Sequence, residues 1–187
     1  MSKAYAHRKA FTDNDFYQTP NCLTYELLKT GLLFGKKEIL EPCSGKGAIS
    51  NILKRFGFNV DERDLTKGND FLEEQYTKKY DAVVMNPPFK YWDKFVDKAK
   101  QVSDLVITIG RTNYFGSKSR NWKNLQYVYI FNRQVAYDKE LRDDEKIHCG
   151  CLITGWFVFN NNYEGEPIVR FIDIDNYVLR RKLCHTK

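Results

Sequence analysis

The run Tyr80-Asp81-Ala82-Val83-Val84-Met85 stops against Asn86-Pro87-Pro88-Phe89, and this junction restricts the fold more than any other segment of the chain. The apolar stretch has the character of a fully buried strand. Two successive prolines lack backbone donors, hold φ near about −65°, and disfavour the α region in the residue before each. Neither a ladder nor a helix continues through them, so the strand ends at Asn86. The prolines form a rigid elbow with one amide side chain, carbonyls without competing N–H neighbours, and an aromatic ring. Such an elbow suits a planar ligand whose amino group is held and whose face is stacked.

Periodicity places the elbow in a larger pattern. Leu23, Leu27, Leu28 and the Leu32-Leu33-Phe34 cluster recur at helical spacing after Thr19-Pro20, an N-cap followed by proline at the first helical position, and Gly31 and Gly35 punctuate the end. Glu38 to Glu41 reads as a strand, Pro42-Cys43-Ser44-Gly45-Lys46-Gly47 as a turn, and Ala48 to Phe56 as a helix. Further strands are expected at Phe58 to Val60, Asp81 to Met85, Asp104 to Ile109, Tyr127 to Phe131, Cys151 to Phe159 and Ile168 to Ile172, with a helix at Trp92 to Val102. Residues 1–15 are read as a flexible arm.

Strands alternating with helices, then a strand-rich end, predict an α/β domain with a mostly parallel sheet covered on both faces and an antiparallel C-terminal edge. At 187 residues the chain is expected to be one domain. Ligands in such sheets bind beyond the carboxyl ends of the strands. Gly45, Gly47, Asp64, Asp70, Asn86 and the loop after Ile109 all fall there.

Composition narrows the class. The formal net charge of +6 fits a polyanionic partner or a generic basic surface. Cys22, Cys43, Cys149, Cys151 and Cys184 include no Cys-x-x-Cys pair, and His7, His148 and His185 supply no zinc-spaced partners. No metal is expected. The odd cysteine count and the missing signal peptide point to a reducing cytoplasm, and no apolar run approaches the ~18 residues of a membrane span.

The glycine turn lets a backbone approach a ligand closely at a helix start. It is not a phosphate loop, because Gly47 rather than Ser or Thr follows Lys46, and Ser50 replaces the third glycine of a dinucleotide fingerprint. A nucleoside without a pyrophosphate fits better. An acid at the end of the second strand would grip its ribose. Asp64 is the first choice, with Asp61 and Glu62 as competitors. Asp70-Phe71 offers an acceptor and an apolar wall for a purine.

These segments together resemble the class I S-adenosylmethionine-dependent methyltransferases, and within them the adenine-N(6) DNA methyltransferases of phages and prophages. Glu41-Pro42-Cys43-Ser44-Gly45-Lys46-Gly47 matches the family's cofactor motif, Asp64-Leu65 its ribose acid, Asp70-Phe71 its adenine pocket and Asn86-Pro87-Pro88-Phe89 its catalytic motif. Tyr17-Gln18-Thr19-Pro20 looks like the segment that closes over the methionine end. The resemblance spans roughly Phe16 to Asp175 and includes the Trp156-Phe157-Val158-Phe159 strand and the Tyr163 to Pro167 turn. It implies a Rossmann-like, seven-stranded twisted sheet, S-adenosyl-L-methionine as cofactor with S-adenosyl-L-homocysteine as product, and no separate target-recognition domain.

Methylation of the exocyclic amino group of adenine in DNA is the implied activity. The Asn86 side-chain oxygen and the Pro87 carbonyl would accept the amino hydrogens, and Phe89 would stack on a flipped base. Arg111, Lys118, Arg120 and Lys123 would grip the nucleic-acid backbone, with Lys90, Tyr91 and Trp92 near the nucleotide. Asn-Pro-Pro-aromatic also occurs in enzymes acting on RNA bases and on release-factor glutamine, so those acceptors remain open, as does a binding module without turnover.

Overall fold

The computed structural model describes residues 18–132 and 153–174. A seven-stranded sheet runs through them in the order β2-β1-β3-β4-β6-β5-β7. Its strands are β1 (Glu38–Glu41), β2 (Asn59–Glu62), β3 (Ala82–Met85), β4 (Leu105–Arg111), β5 (Leu125–Phe131), β6 (Thr154–Asn160) and β7 (Ile168–Ile172). Three helices accompany them: α1 (Asn21–Lys29), α2 (Ser50–Arg55) and α3 (Trp92–Val102). The expected strand-and-helix alternation and the mostly parallel sheet are both present.

Strands β2, β1, β3 and β4 are mutually parallel, so their carboxyl ends open on one side. The antiparallel pairings lie in the C-terminal part, where β6 runs against both β4 and β5, while β7 at the rim pairs parallel with β5.

Alternation along β3 shows how both faces are buried. Ala82 and Val84 join the cluster containing Leu23 and Leu27 of α1, Leu53 of α2 and Ile49 at its N-cap. Val83 and Met85 join Phe95, Val96, Ala99 and Val102 of α3 on the other face. Each buried leucine of α1 contributes about 1.5–3 kcal/mol by leaving water. The indole of Trp156 on β6 donates to the Leu23 carbonyl at 3.0 Å, tying α1 to the far side of the sheet.

Several boundaries differ from expectation for local reasons. Helix α1 ends at Lys29, before the Leu32-Leu33-Phe34 cluster, because Gly31, expected to punctuate it, turns the backbone left-handed at φ 76°, while the Thr30 hydroxyl returns to the Leu27 carbonyl at 2.6 Å. Its N-cap position is taken by Pro20 rather than Thr19. Helix α2 starts at Ser50, since the turn continues through Gly47 at φ 82°. Strand β2 runs on to Glu62 and β4 to Arg111, so both reach into segments expected to be loop. The first residues of the expected Cys151 to Phe159 strand lie outside the described residues, as do Tyr17, the three histidines, Cys149, Cys151 and Cys184.

Candidate active site

Four parallel strands deliver the candidate residues to one end of the sheet. Strand β1 leads into the glycine turn, where Gly45 and Gly47 have φ of 52° and 82°. A Cβ on Gly47 would meet Ser50 Oγ and Asn51 Nδ2 at 3.1 Å each. The backbone here therefore runs tightly against α2, and its positive φ disfavours any side chain.

Tertiary hydrogen bonds fix the turn to the segment after β2. Ser44 N–H donates to the Arg63 carbonyl at 2.9 Å, and Gly45 N–H donates to Asp64 Oδ2 at 2.7 Å. The other oxygen of Asp64 accepts from Thr66 N–H at 2.9 Å and from the Thr66 hydroxyl at 2.5 Å. Asp64, 7% exposed, thus braces the turn with both oxygens. Its competitors are also engaged. Asp61 holds Arg63 in a two-pronged pair at 2.9 and 3.1 Å and accepts from Tyr80. Glu62, the last residue of β2, pairs with Lys54 and lies 3.4 Å from Lys67 Nζ. Leu65 opens the short 3-10 turn that Asp64 caps.

Beneath the turn lies Glu41, 2% exposed. Burial pushes its carboxyl up to about 8, with neighbouring Glu62 adding to the shift and Ser50 opposing it. Glu41 Oε2 and Ser50 Oγ are buried without a hydrogen-bond partner among the described residues. Orphaned polar atoms are costly, and at the base of a glycine turn they fit a ligand with polar groups. The thiol of Cys43 is also pushed up, by burial first and then by Glu41 and Asp64, while the Asn86 backbone opposes the shift.

The elbow follows β3, the parallel neighbour of the strand that leads into the glycine turn. Asn86 follows β3 directly, and its side-chain Nδ2 donates to Thr19 Oγ1 at 3.1 Å. Pro87 is buried; Pro88 and Phe89 are partly exposed. A 3-10 turn, Phe89–Tyr91, carries the ring and leads into α3. Buried Tyr114, which the sequence motifs do not single out, donates over a long 3.4 Å to the Phe89 carbonyl and meets its ring edge-on. The mixture of aromatics and cations between Arg111 and Lys123 is its only trace in the sequence.

Residues expected at the purine and at the nucleic acid separate into core and surface. Phe71 is only 2% exposed and packs against Phe95 and Tyr76; Asp70 accepts from Leu72 N–H at 3.2 Å. Trp92, expected beside the nucleotide, is 2% exposed, and its indole N–H donates to the Ile109 carbonyl at 2.8 Å. It is a core residue: a Cβ on Gly110 would fall 3.1 Å from that indole nitrogen. Arg120 pairs with Asp93 at 2.6 Å and stacks 3.8 Å over Tyr114. Lys90, Lys118 and Lys123 are exposed or partly exposed, and Tyr91 is partly exposed.

No protein-family model and no curated protein matches the chain. Solved structures do. A type I restriction-modification system methyltransferase subunit from Streptococcus thermophilus overlaps 84% of this chain and 47% of its own at 13% identity and TM-score 0.56. The fold is that of the class I methyltransferases. A modification subunit assigned to a type I restriction enzyme from Vibrio vulnificus overlaps 89% of this chain and 48% of its own, at 12% identity and TM-score 0.53. The chain thus spans about half the length of either subunit. The 23S rRNA methyltransferase ErmE overlaps 91% of this chain and 79% of its own, at 13% identity and TM-score 0.47. In the class I methyltransferase fold seen here, the glycine turn, the acidic loop and the proline elbow follow β1, β2 and β3 on neighbouring strands. Among the described residues no helix is long and apolar enough to cross a membrane.

Proposed function

We propose that the protein transfers the methyl group of S-adenosyl-L-methionine to the exocyclic amino group of adenine in DNA. The observation that carries this reading is the parallel pairing of β1 and β3, from whose carboxyl ends the glycine turn and the Asn86-Pro87-Pro88-Phe89 elbow leave side by side. An amino-group acceptor site and a nucleoside site thereby lie next to each other.

The cofactor would lie along Gly45 and Gly47, above Glu41, Pro42 and Cys43, with its methionine end under Tyr17, Thr19 and Pro20. It supplies an electrophilic methyl group on a sulfonium. Its ribose falls to the acidic stretch after β2. Asp64 remains the first candidate through its bond to Gly45, and Glu62 is the alternative because it ends the strand itself. Asp70 and Leu65 would border the adenine, whereas Phe71, packed on Tyr76 and Phe95, belongs to the core.

An aromatic amino group is a weak nucleophile because its lone pair is delocalised into the ring. The Asn86 oxygen and the Pro87 carbonyl each accept one amino hydrogen, which draws the nitrogen toward tetrahedral geometry and directs its lone pair at the donor. Pro88 fixes the backbone between the two halves of the elbow, and Phe89 stacks on the base, a contact worth about 1–3 kcal/mol in single-strand binders. The residues position rather than react, so proximity and orientation supply most of the rate.

Transfer of label from radioactive S-adenosyl-L-methionine, with DNA, RNA and protein offered as separate acceptors, tests this function. Label entering DNA, and lost in Asn86→Ala, is the expected result.

A further inference from the structure

Of the four cations between Arg111 and Lys123, Arg111 differs from the rest. It ends β4 beside the elbow, and its guanidinium carbon lies 4.3 Å from the centroid of the Phe89 ring. Its Nε, like that of Arg120, is buried with no hydrogen-bond partner among the described residues. None of the ion pairs among the described residues includes it, whereas Arg120 is neutralised by Asp93. The Nη nitrogens are not among the buried orphaned atoms and donate to no described residue, so they keep contact with solvent. A ring face only partly compensates a guanidinium drawn out of water. The charge is therefore held over the Phe89 ring, beside the elbow, without a counter-ion among the described residues.

We propose that Arg111 binds one phosphate of the acceptor strand adjacent to the target base, so that the acceptor must be a phosphodiester-linked nucleotide. This rests on the proposed nucleic-acid substrate and sharpens it. A guanidinium presents a planar fork that matches two phosphate oxygens. Stacking on Phe89 fixes that fork before the substrate arrives, which lowers the ordering cost of binding. One phosphate held beside Phe89 sets the register of the strand and brings the neighbouring base to Asn86. Lys118 and Lys123, on the same loop, add charge without fixing position.

The test is a coupling cycle on kcat/KM. The shortest oligonucleotide that the protein methylates is prepared with each phosphate flanking the target base replaced, one at a time, by an uncharged methylphosphonate. At one of these positions the wild type should lose about tenfold, Arg111→Ala should lose about tenfold on the unmodified strand, and the two losses should not multiply. Arg111→Lys should keep its sensitivity to the neutral phosphate. If Arg111→Ala does not fold, Arg111→Gln takes its place in the cycle. Losses that multiply at both positions, or an unchanged kcat/KM in the variant, overturn the assignment alone. Absence of transfer to any oligonucleotide, DNA or RNA, overturns the acceptor reading and this assignment with it.

Discussion

Thr19 and Asn86, 67 residues apart, meet through a 3.1 Å hydrogen bond from the Asn86 amide nitrogen to the Thr19 hydroxyl. In the proposed reaction this bond leaves the amide oxygen, with Nδ2 occupied, as the atom that would receive the amino group. Thr19→Val removes the partner while keeping the volume. It should lower kcat by about tenfold with KM for the nucleic acid changed less than about twofold, a split that marks loss of transition-state positioning. Thr19→Ser should restore most of the rate.

Asp64 combines a structural and a ligand role. Losing its carboxylate strands the Gly45 N–H and Thr66, at about 1–3 kcal/mol for each buried donor left unpaired. Asp64→Ala should therefore lower the urea midpoint and also weaken cofactor binding by more than about 1 kcal/mol. Glu62→Gln, which leaves the brace intact, separates the two effects. If it alone abolishes cofactor binding in calorimetry, the ribose contact belongs to Glu62.

Glu41 makes stability depend on pH. Its carboxyl is raised from 4.5 to about 8, mainly by burial. The folded protein then holds this proton more tightly than the unfolded chain does. Its contribution is fully present below the unfolded value, falls as pH rises, and is lost once pH passes the folded value. Urea unfolding of the wild type should show a loss of more than about 1 kcal/mol between about pH 6 and about pH 8. Glu41→Gln, which cannot ionise, should lack that part of the slope.

Trp92 tests the separation of core from surface. Trp92→Phe removes the hydrogen bond to Ile109 and part of the packing against Gly110 and Phe157. It should cost roughly 2 kcal/mol of stability. KM for nucleic acid should stay within about twofold, because the ring has no exposed face to offer.

What the sequence revealed depended on where the controlling interactions lie. Strand β3, the break at Asn86 and helix α3 were legible because apolar runs and prolines act locally. The end of α1 was legible only in part, since Gly31 marks the stop with its left-handed φ of 76° but the hydrophobic spacing continues past it through Leu32-Leu33-Phe34. Composition identified the aromatic and basic residues between Phe89 and Lys123 but could not sort them. Only three-dimensional packing shows that Trp92 is core, that Arg120 is neutralised by Asp93, and that Arg111 has no ion-pair partner among the described residues at the elbow. The bracing of Gly45 by Asp64 arises from a tertiary hydrogen bond that no local pattern encodes.

The central claim, that the elbow receives an adenine amino group in DNA, is tested most directly by tritiated methyl transfer with Asn86→Ala as the control. The account predicts label in adenine of DNA for the wild type and none for the variant, whose affinity for the cofactor by calorimetry stays within about tenfold. Label confined to RNA or protein, or undiminished turnover in Asn86→Ala, would contradict it.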